Sequence, residues 1–414
     1  MYDPEVYGIF ALFNAFSANL GLFVTLNFTN AFVLPKKEGE FYALARLTFL
    51  CILVTTAISL VVIGVASDSI LAFFNAEKLG HWIFLVPLFA AFNGFSVAWT
   101  SWNIRLKEFG RSAGGKTLSI VLSKSFTLGV GYLTSGAVFG IIGGEFINRL
   151  LNTVLLSGKK IRNSLSKVLF GPGLTAMAAA GKKYKEYPIY ALPANWLAMV
   201  IDQLPIFALA RYFGPEFSGY LSFAYSLLNI PITLIGNSTG QVFLQKAAEV
   251  GPENPERLRD LTIRLFNKLL ILGLGPFCIV AVFGDLIFPL LLGDEWYRSG
   301  IFASYLAFFY YFRLQGFPIA SIYRVLRKEK YFFYINVLSF TITLGALYLG
   351  VTYDDPDTLI KLFSVAGALT YISSAALTFY LLRARKGWWL LLKSGLAIAA
   401  AYLLLSWLRV LIIG

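Results

Sequence analysis

Four cations, Lys124, Arg149, Arg313 and Lys393, stand inside long apolar stretches of this 414-residue chain. A cation at the centre of a bilayer costs about 2.5–3.5 kcal/mol on insertion scales, so such residues normally face a cavity or a partner. At that depth Arg and Lys supply charge-assisted hydrogen bonds to an anion. Glu145 stands four residues before Arg149, the favourable order for an ion pair within one helix. The pair reads either as a structural bridge or as an acid that orients and releases a ligand-facing Arg149. Lys124 has Ser119, Ser123, Ser125 and Thr127 nearby, which predicts a polar stripe turned toward a cavity. Arg313 lies beside Tyr310, Tyr311 and Gln315, so aromatic stacking or a contact between lobes competes with a cavity role. Lys393 is close to a span end, where a long side chain snorkels. Asp202 beside Gln203 suits either cation or proton coupling or a salt bridge to an interior Arg. Asp285, nearer a span end, reads as interfacial.

Other chemistries are poorly served. No Gly-rich phosphate loop runs into Lys-Ser or Lys-Thr, so the chain shows no ATPase motor. The single histidine, His81, cannot build a nucleophile–base constellation, and Cys51 and Cys278 offer neither a metal pair nor a disulfide framework. Nothing in the sequence calls for a metal or an organic cofactor. Coupling to protons or sodium ions is left open.

The elements that position these residues follow from composition. Hydrophobic residues make up 57% of the chain and charged residues 14%, against about a quarter charged in soluble globules. The mean hydropathy is +0.70. Apolar stretches run over 6–33, 43–66, 81–103, 117–134, 137–157, 187–210, 215–244, 266–292, 300–322, 332–352, 359–382 and 388–413. This predicts an all-α polytopic membrane protein with about twelve spans.

The connecting segments alternate in charge. One side receives Lys36, Lys37 and Arg46, then Arg105, Lys107, Arg111 and Lys116, the run of seven cations from Lys159 to Lys185, five from Lys246 to Lys268, four from Arg324 to Lys330, and three from Arg383 to Lys386. That side holds 26 of the 35 cations and the opposite side five, so the basic side is expected to be cytoplasmic. The net charge of +13 therefore points to a membrane topology rather than to nucleic acid. Residues 158–186, with Gly171-Pro172-Gly173 at their centre, read as a basic linker carrying an amphipathic surface segment.

An internal repeat divides the chain. Asp3-Pro4-Glu5-Val6-Tyr7-Gly8 returns as Gly214-Pro215-Glu216-Phe217-Ser218-Gly219, and the same register relates Phe32 to Phe243, Glu38 to Glu249, Arg46 to Arg257 and Leu47 to Leu258. Lys107-Glu108 echoes Lys328-Glu329 after a short insertion. Both copies keep their basic loops on one side, so they are parallel repeats, an arrangement that places a cavity between two lobes and favours alternating access. The lobes predicted are 1–157, five spans, and 187–382, six spans, with 388–413 as an added span. In the second copy the Pro-Glu turn follows a full helix, 187–210, and in the first it follows only three residues. The first lobe is therefore expected to lack its opening helix, through an upstream start site or truncation. Pro231 and Pro276 are candidate hinges.

Several motifs resemble those of the Wzx-type polysaccharide flippases. They are Lys183-Tyr184-Lys185-Glu186-Tyr187-Pro188, Phe213-Gly214-Pro215-Glu216, Asn229-Ile230-Pro231 and Gln241-Val242-Phe243-Leu244-Gln245-Lys246-Ala247-Ala248-Glu249. Pro4-Glu5 with Tyr7-Gly8-Ile9-Phe10, Leu34-Pro35-Lys36-Lys37 and Arg105-Leu106-Lys107-Glu108-Phe109 are similar to the same family. The resemblance implies a bacterial inner-membrane exporter of the multidrug/oligosaccharidyl-lipid/polysaccharide superfamily. It also implies an undecaprenyl-diphosphate-linked oligosaccharide as cargo, and a polysaccharide polymerase complex as a neighbour. Lys124, Arg149 and Arg313 would then meet the diphosphate. Where many relatives carry an Arg-Tyr-Glu triplet, this chain has Asn27-Phe28-Thr29, so those charges do not carry over. A multidrug exporter of the same superfamily is the nearest rival, although drug cations would favour a more acidic interior. A membrane polymerase or ligase would need a larger loop than 67–80.

Overall fold

The computed structural model describes residues 2–134, 136–326 and 328–413. Arg327, one of the basic loop residues, lies outside them, as do the side chains of Phe109 and Glu329 from the motifs above. Among the described residues every regular element is helical. The first helices are α1 (Pro4–Phe23), α2 (Glu38–Phe73), α3 (Val86–Arg105), α4 (Phe109–Leu133) and α5 (Val138–Leu156). Two short helices follow, α6 (Lys159–Phe170) and α7 (Leu174–Lys183), then α8 (Leu192–Phe213), α9 (Pro215–Pro231) and α10 (Ser238–Val250). The rest are α11 (Pro255–Leu292), α12 (Tyr297–Ile319), α13 (Ile322–Val325), α14 (Glu329–Thr352), α15 (Pro356–Leu381) and α16 (Arg385–Ile413).

Each apolar stretch falls on a long helix. Ten helical segments are long and apolar enough to cross a membrane, among the described residues. The other two stretches lie on α4 and α12, which have the length but not the apolarity. Arg111, Lys116, Lys124 and six Ser or Thr residues dilute α4, and Arg298, Arg313, Gln315 and four tyrosines dilute α12. Enclosure explains the tolerance in α12, where Phe302, Leu306, Ala307, Tyr311 and Leu314 are fully buried by neighbouring helices. The first stretch ends as a helix at Phe23, earlier than its apolarity predicts. Leu26 and Asn27 take left-handed backbone with φ of 45° and 61°, breaking the helix before the short turn Phe28–Ala31. At Pro231 the helix continues through a π segment, Ile232–Asn237, that takes up the missing proline donor. Pro276 leaves α11 uninterrupted.

Helix starts follow from local chemistry. Asp3 accepts a hydrogen bond from Val6 N at 2.7 Å with Pro4 opening α1, and Asp355 accepts from Thr358 N at 2.8 Å with Pro356 opening α15. Asp355 is held below the usual carboxylate range, first by the Thr358 hydroxyl and then by these backbone donors.

The chain divides into two compact units, Met1–Gly219 and Tyr220–Gly414. In the first, an aromatic core occupies the end that carries the basic loops. Phe41 packs against Phe32 and Trp102 with ring centroids 5.4 and 4.8 Å away, and Phe49 against Trp99 at 5.3 Å. Arg105 closes this core, stacking over Phe41 while donating to Phe32 O at 3.1 Å, Pro35 O at 2.7 Å and Glu38 at 3.1 Å. The α6–α7 hairpin is tied to α2 here: Arg46 donates to Pro172 O, and Tyr184 and Lys183 both reach Glu40. Burial, then the bond to Glu40, pushes the Tyr184 hydroxyl up to about 12.

At the opposite end of α1, the two copies of the repeat motif meet. A Cβ at Gly8 would overlap the Pro215 carbonyl, and a Cβ at Gly219 would overlap the Pro4 carbonyl. The two Pro-x-x-x-Gly segments thus cross at backbone contact, each glycine under the other's proline. Helix α8, which the repeat places at the start of the second lobe, belongs to the first unit. Phe207 and Trp196 explain this, packing on Phe16 and Phe23 of α1 at 5.2 and 5.9 Å.

The second unit is built around α12. Gly284 and Gly300 let α11 and α12 touch backbone to backbone. Helix α16, an added span by position in the repeat, is bonded firmly into this unit. Ser394 donates to Gln315 at 2.7 Å, and Arg409 binds Asp285 through both carboxylate oxygens at 2.9 and 2.6 Å.

Candidate functional site

Helix α5 carries Glu145, Asn148, Arg149 and Thr153 on one face, as spacings of three, four and eight residues require. Arg149 Nε lies 3.0 Å from Glu145, and the two side chains are 16% and 17% exposed. The guanidinium also rests 5.3 Å from the Phe89 ring of α3. Thr153 anchors the same face, its hydroxyl 2.8 Å from Ser96 of α3. The structure therefore realises the bridge that the spacing predicts and adds an aromatic face that spacing could not show. A carboxylate and a ring hold the guanidinium in place in a medium of low dielectric, where an ion pair is strong and its loss costly.

A second polar group joins α1 to α8. Asn19 donates to Gln203 and to Ala15 O, and its side-chain oxygen accepts from Trp196 Nε1 at 3.2 Å. Asp202 is half-buried next to Gln203 on α8. Gln203, its neighbour, accepts the bond from Asn19.

Burial varies along the predicted stripe of α4. Ser119 and Ser123 are buried and Thr127 half-buried along the side of α4 that meets α5, where Gly144 leaves room for the Thr127 hydroxyl. Lys124 and Ser125 are exposed. Lys124 is turned by about 100° from Ser123 and lies beside Thr127, three residues on, at the edge of the row that Ser119, Ser123 and Thr127 form.

In the second unit, Arg313 is surrounded by aromatic rings. Its guanidinium carbon lies 5.4 Å from the Tyr310 ring, 5.7 Å from Phe309 and 5.9 Å from Tyr371. Asn229 donates to the Tyr310 hydroxyl at 3.1 Å, and Gly316 lets Tyr371 of α15 close against α12. Stacking uses the flat faces of a guanidinium, whereas its hydrogen-bond donors radiate from the edge and match a phosphate or carboxylate. The predicted neighbours Tyr311 and Gln315 face elsewhere, toward Ser394 of α16.

Within the first unit the structure thus pairs Glu145 with Arg149, while Lys124 is exposed on α4 and Asp202 is half-buried on α8. In the second unit, Arg313 meets the rings of Phe309, Tyr310 and Tyr371. Lys393 lies 5.7 Å from the Trp389 ring near the start of α16, as a snorkelling side chain would. Sequence reasoning missed the bidentate Asp285–Arg409 pair, having read the first as interfacial and the second as a loop cation. The signal was available, because the end of α11 and the end of α16 fall on the same side in the alternation of loops. It also missed Arg105 as a cap. Outside the spans, Lys160 first and Arg111 second hold the Glu108 carboxyl below its usual range. Among the described residues, no group of three or more His, Cys, Asp or Glu could hold a metal.

The fold has clear relatives among solved structures. A multidrug resistance MATE family transporter of the MOP superfamily, in its inward-facing conformation, matches with a TM-score of 0.75 at 12% identity, over 93% of this chain and 92% of that one. The lipid II flippase MurJ, in an inward closed conformation, matches with a TM-score of 0.70 at 13% identity, over 98% of this chain and 92% of that one. These likenesses show the fold, a two-repeat bundle of the kind found in MATE and MOP-superfamily transporters. No curated protein matches the sequence. The family model described as polysaccharide biosynthesis protein matches residues 1–301. A match over so much of a multi-pass helical membrane chain places it: the chain belongs to the polysaccharide biosynthesis protein family.

Proposed function

We propose that this protein flips an undecaprenyl-diphosphate-linked oligosaccharide from the cytoplasmic to the periplasmic leaflet of a bacterial inner membrane. Its product would feed assembly of a surface polysaccharide such as lipopolysaccharide O-antigen. The observation that carries the reading is a pair of guanidinium groups, Arg149 and Arg313, kept half-buried along membrane helices in a chain of the polysaccharide biosynthesis family. A lipid diphosphate must leave water as its headgroup crosses. Arginine edges offer it the charge-assisted bonds that offset that loss. The excess of cations on one side supports the orientation, with the basic loops cytoplasmic. A neighbour in fold is itself a lipid II flippase.

In this mechanism the cavity opens to alternate sides of the membrane, with Lys124, Arg149 and Arg313 as the cationic groups along the cargo's route. Glu145 positions Arg149 and releases it to the diphosphate. Asp202, beside the Asn19–Gln203 bond, is the group through which a proton or sodium ion couples to transport. No covalent chemistry is required of the chain. A polysaccharide polymerase takes the delivered unit.

Single replacement of Lys124, Arg149 and Arg313 by Ala tests the reading. Transport is expected to fall in each variant while the amount of protein in the membrane is retained. Full activity in all three would reject a cationic route. Export of drug cations by the purified protein, with unaltered surface glycan in a deletion strain, would instead favour the multidrug reading.

A further inference from the structure

The α6–α7 hairpin has a composition and a placement that its role as a linker leaves unexplained. No acidic residue occurs between Glu145 and Glu186, while Lys159, Lys160, Arg162, Lys167, Lys182, Lys183 and Lys185 lie between them. Lys160 pairs with Glu108 at 2.9 Å and Lys183 with Glu40 at 2.5 Å. The other five are exposed and have no carboxylate partner among the described residues.

The apolar residues of the hairpin divide into two sets. Ile161, Val168, Met177, Ala180 and Tyr184 are buried within the first unit, where both short helices pack on α2. Leu169, Phe170 and Leu174 flank the Gly171-Pro172-Gly173 turn and are 45%, 85% and 77% exposed. A linker lying in water gains nothing from such a tip.

Its depth is fixed by α2. Arg46 holds the Pro172 carbonyl, so the turn sits level with the third turn of that helix. One helical turn further, about 6 Å along the axis, begins the exposed apolar row of α2 that includes Leu50, Leu53, Val54 and Ile58. The tip is therefore level with the end of α2 that precedes its exposed apolar row.

We propose that the α6–α7 hairpin is a lipid-recognition element that binds anionic phospholipid of the leaflet on the basic side. The tip formed by Leu169, Phe170 and Leu174 enters the boundary between headgroups and acyl chains. Lys159, Arg162, Lys167, Lys182 and Lys185 engage lipid phosphates around it. Apolar burial and attraction to anionic lipid act together in interfacial segments of this kind, and each alone binds weakly. The inference is independent of the transported cargo.

The test uses the full chain in nanodiscs of phosphatidylcholine, with or without phosphatidylglycerol. Phe170→Cys, in a Cys51→Ala, Cys278→Ala background, carries an environment-sensitive fluorophore. Emission is expected to shift to shorter wavelength, and to be quenched by spin-labelled lipid, when phosphatidylglycerol is present. Both effects should be lost when the five cations are replaced by Gln. Water-like emission in both lipids overturns the proposal. So does an apolar signal that is the same without phosphatidylglycerol and in the Gln variant. Because Cys278 is buried, hydrogen exchange on the unaltered chain provides an independent check. The amides of 169–174 should exchange more slowly in discs containing phosphatidylglycerol, and equal exchange in both lipids counts against the proposal.

Discussion

A guanidinium inside a membrane segment keeps its charge only if its surroundings compensate for lost water. Arg149 lies beside the Glu145 carboxylate and the Phe89 ring, and the rings of Phe309, Tyr310 and Tyr371 lie against Arg313. This compensation is testable at Arg149. Glu145→Gln leaves the cation half-buried without its counter-charge and should lower stability by about 3 kcal/mol, the lower end for breaking a buried pair. Glu145→Gln with Arg149→Met should recover most of that loss, since an apolar replacement of a whole pair is often neutral. Unfolding in detergent measures both, and a double variant no more stable than Glu145→Gln would show that the pair does not act as a unit. At this scale the sequence was partly legible. The spacing of Glu145 and Arg149 revealed their bridge because a helix dictates it. The rings around Arg313 were half visible: Tyr310 is adjacent in sequence, but Tyr371 comes from another helix, and no local pattern encodes that meeting. The exposure of Lys124, one residue beyond the buried Ser123, was not legible in the run of Ser and Thr around it.

Helices carry the next level of the account. The crossing of α1 with the first turn of α9 rests on two glycines that the repeat identified and the structure brings face to face. Close approach of this kind is how membrane helices associate when apolar burial gives no advantage over lipid. Gly8→Leu should force the backbones apart and cost about 3 kcal/mol, the upper end for overpacking, with lower yield in the membrane. Gly39→Leu, at an open position on α2, is the control. Equal yields would show that the crossing bears no strain. The helix starts make a pH prediction. Asp355 at the head of α15 and Glu108 before α4 both titrate below their unfolded values. Their stabilisation is therefore complete above the ordinary carboxylate range, about pH 4, and is lost as pH falls through the lowered folded values. Melting temperature should drop across that window, and Asp355→Asn, which still caps the helix, should flatten the part of the slope due to Asp355. A slope unchanged by Asp355→Asn would remove that carboxylate from the account. Helix existence was readable throughout because the spans are long and apolar, and the Asp-Pro starts were readable from capping chemistry. The end of α1 was not, since the left-handed backbone at Leu26 and Asn27 has no signal in an apolar run. Neither was the contact of α8 with α1, because nothing local to Phe207 or Trp196 encodes Phe16 and Phe23 as their partners.

For the whole molecule, apolar composition pointed to a membrane and located the long helices. It could not reveal that α12 is polar because it is enclosed, or that α16 is fastened by Asp285 and Arg409. Both depend on which helices surround which. The central claim is that the interior cations serve a lipid-linked diphosphate sugar. Its most direct measurement is transbilayer movement in proteoliposomes of purified protein, using a fluorescent undecaprenyl-diphosphate oligosaccharide and a membrane-impermeant quencher. With the unaltered chain, the protected fraction of the fluorescent lipid should become accessible on the timescale of transport, and Arg149→Ala and Arg313→Ala should each slow it about tenfold, which corresponds to about 1.4 kcal/mol of lost interaction. A protected fraction as stable as in protein-free vesicles, or flipping unchanged by both substitutions, would contradict the account.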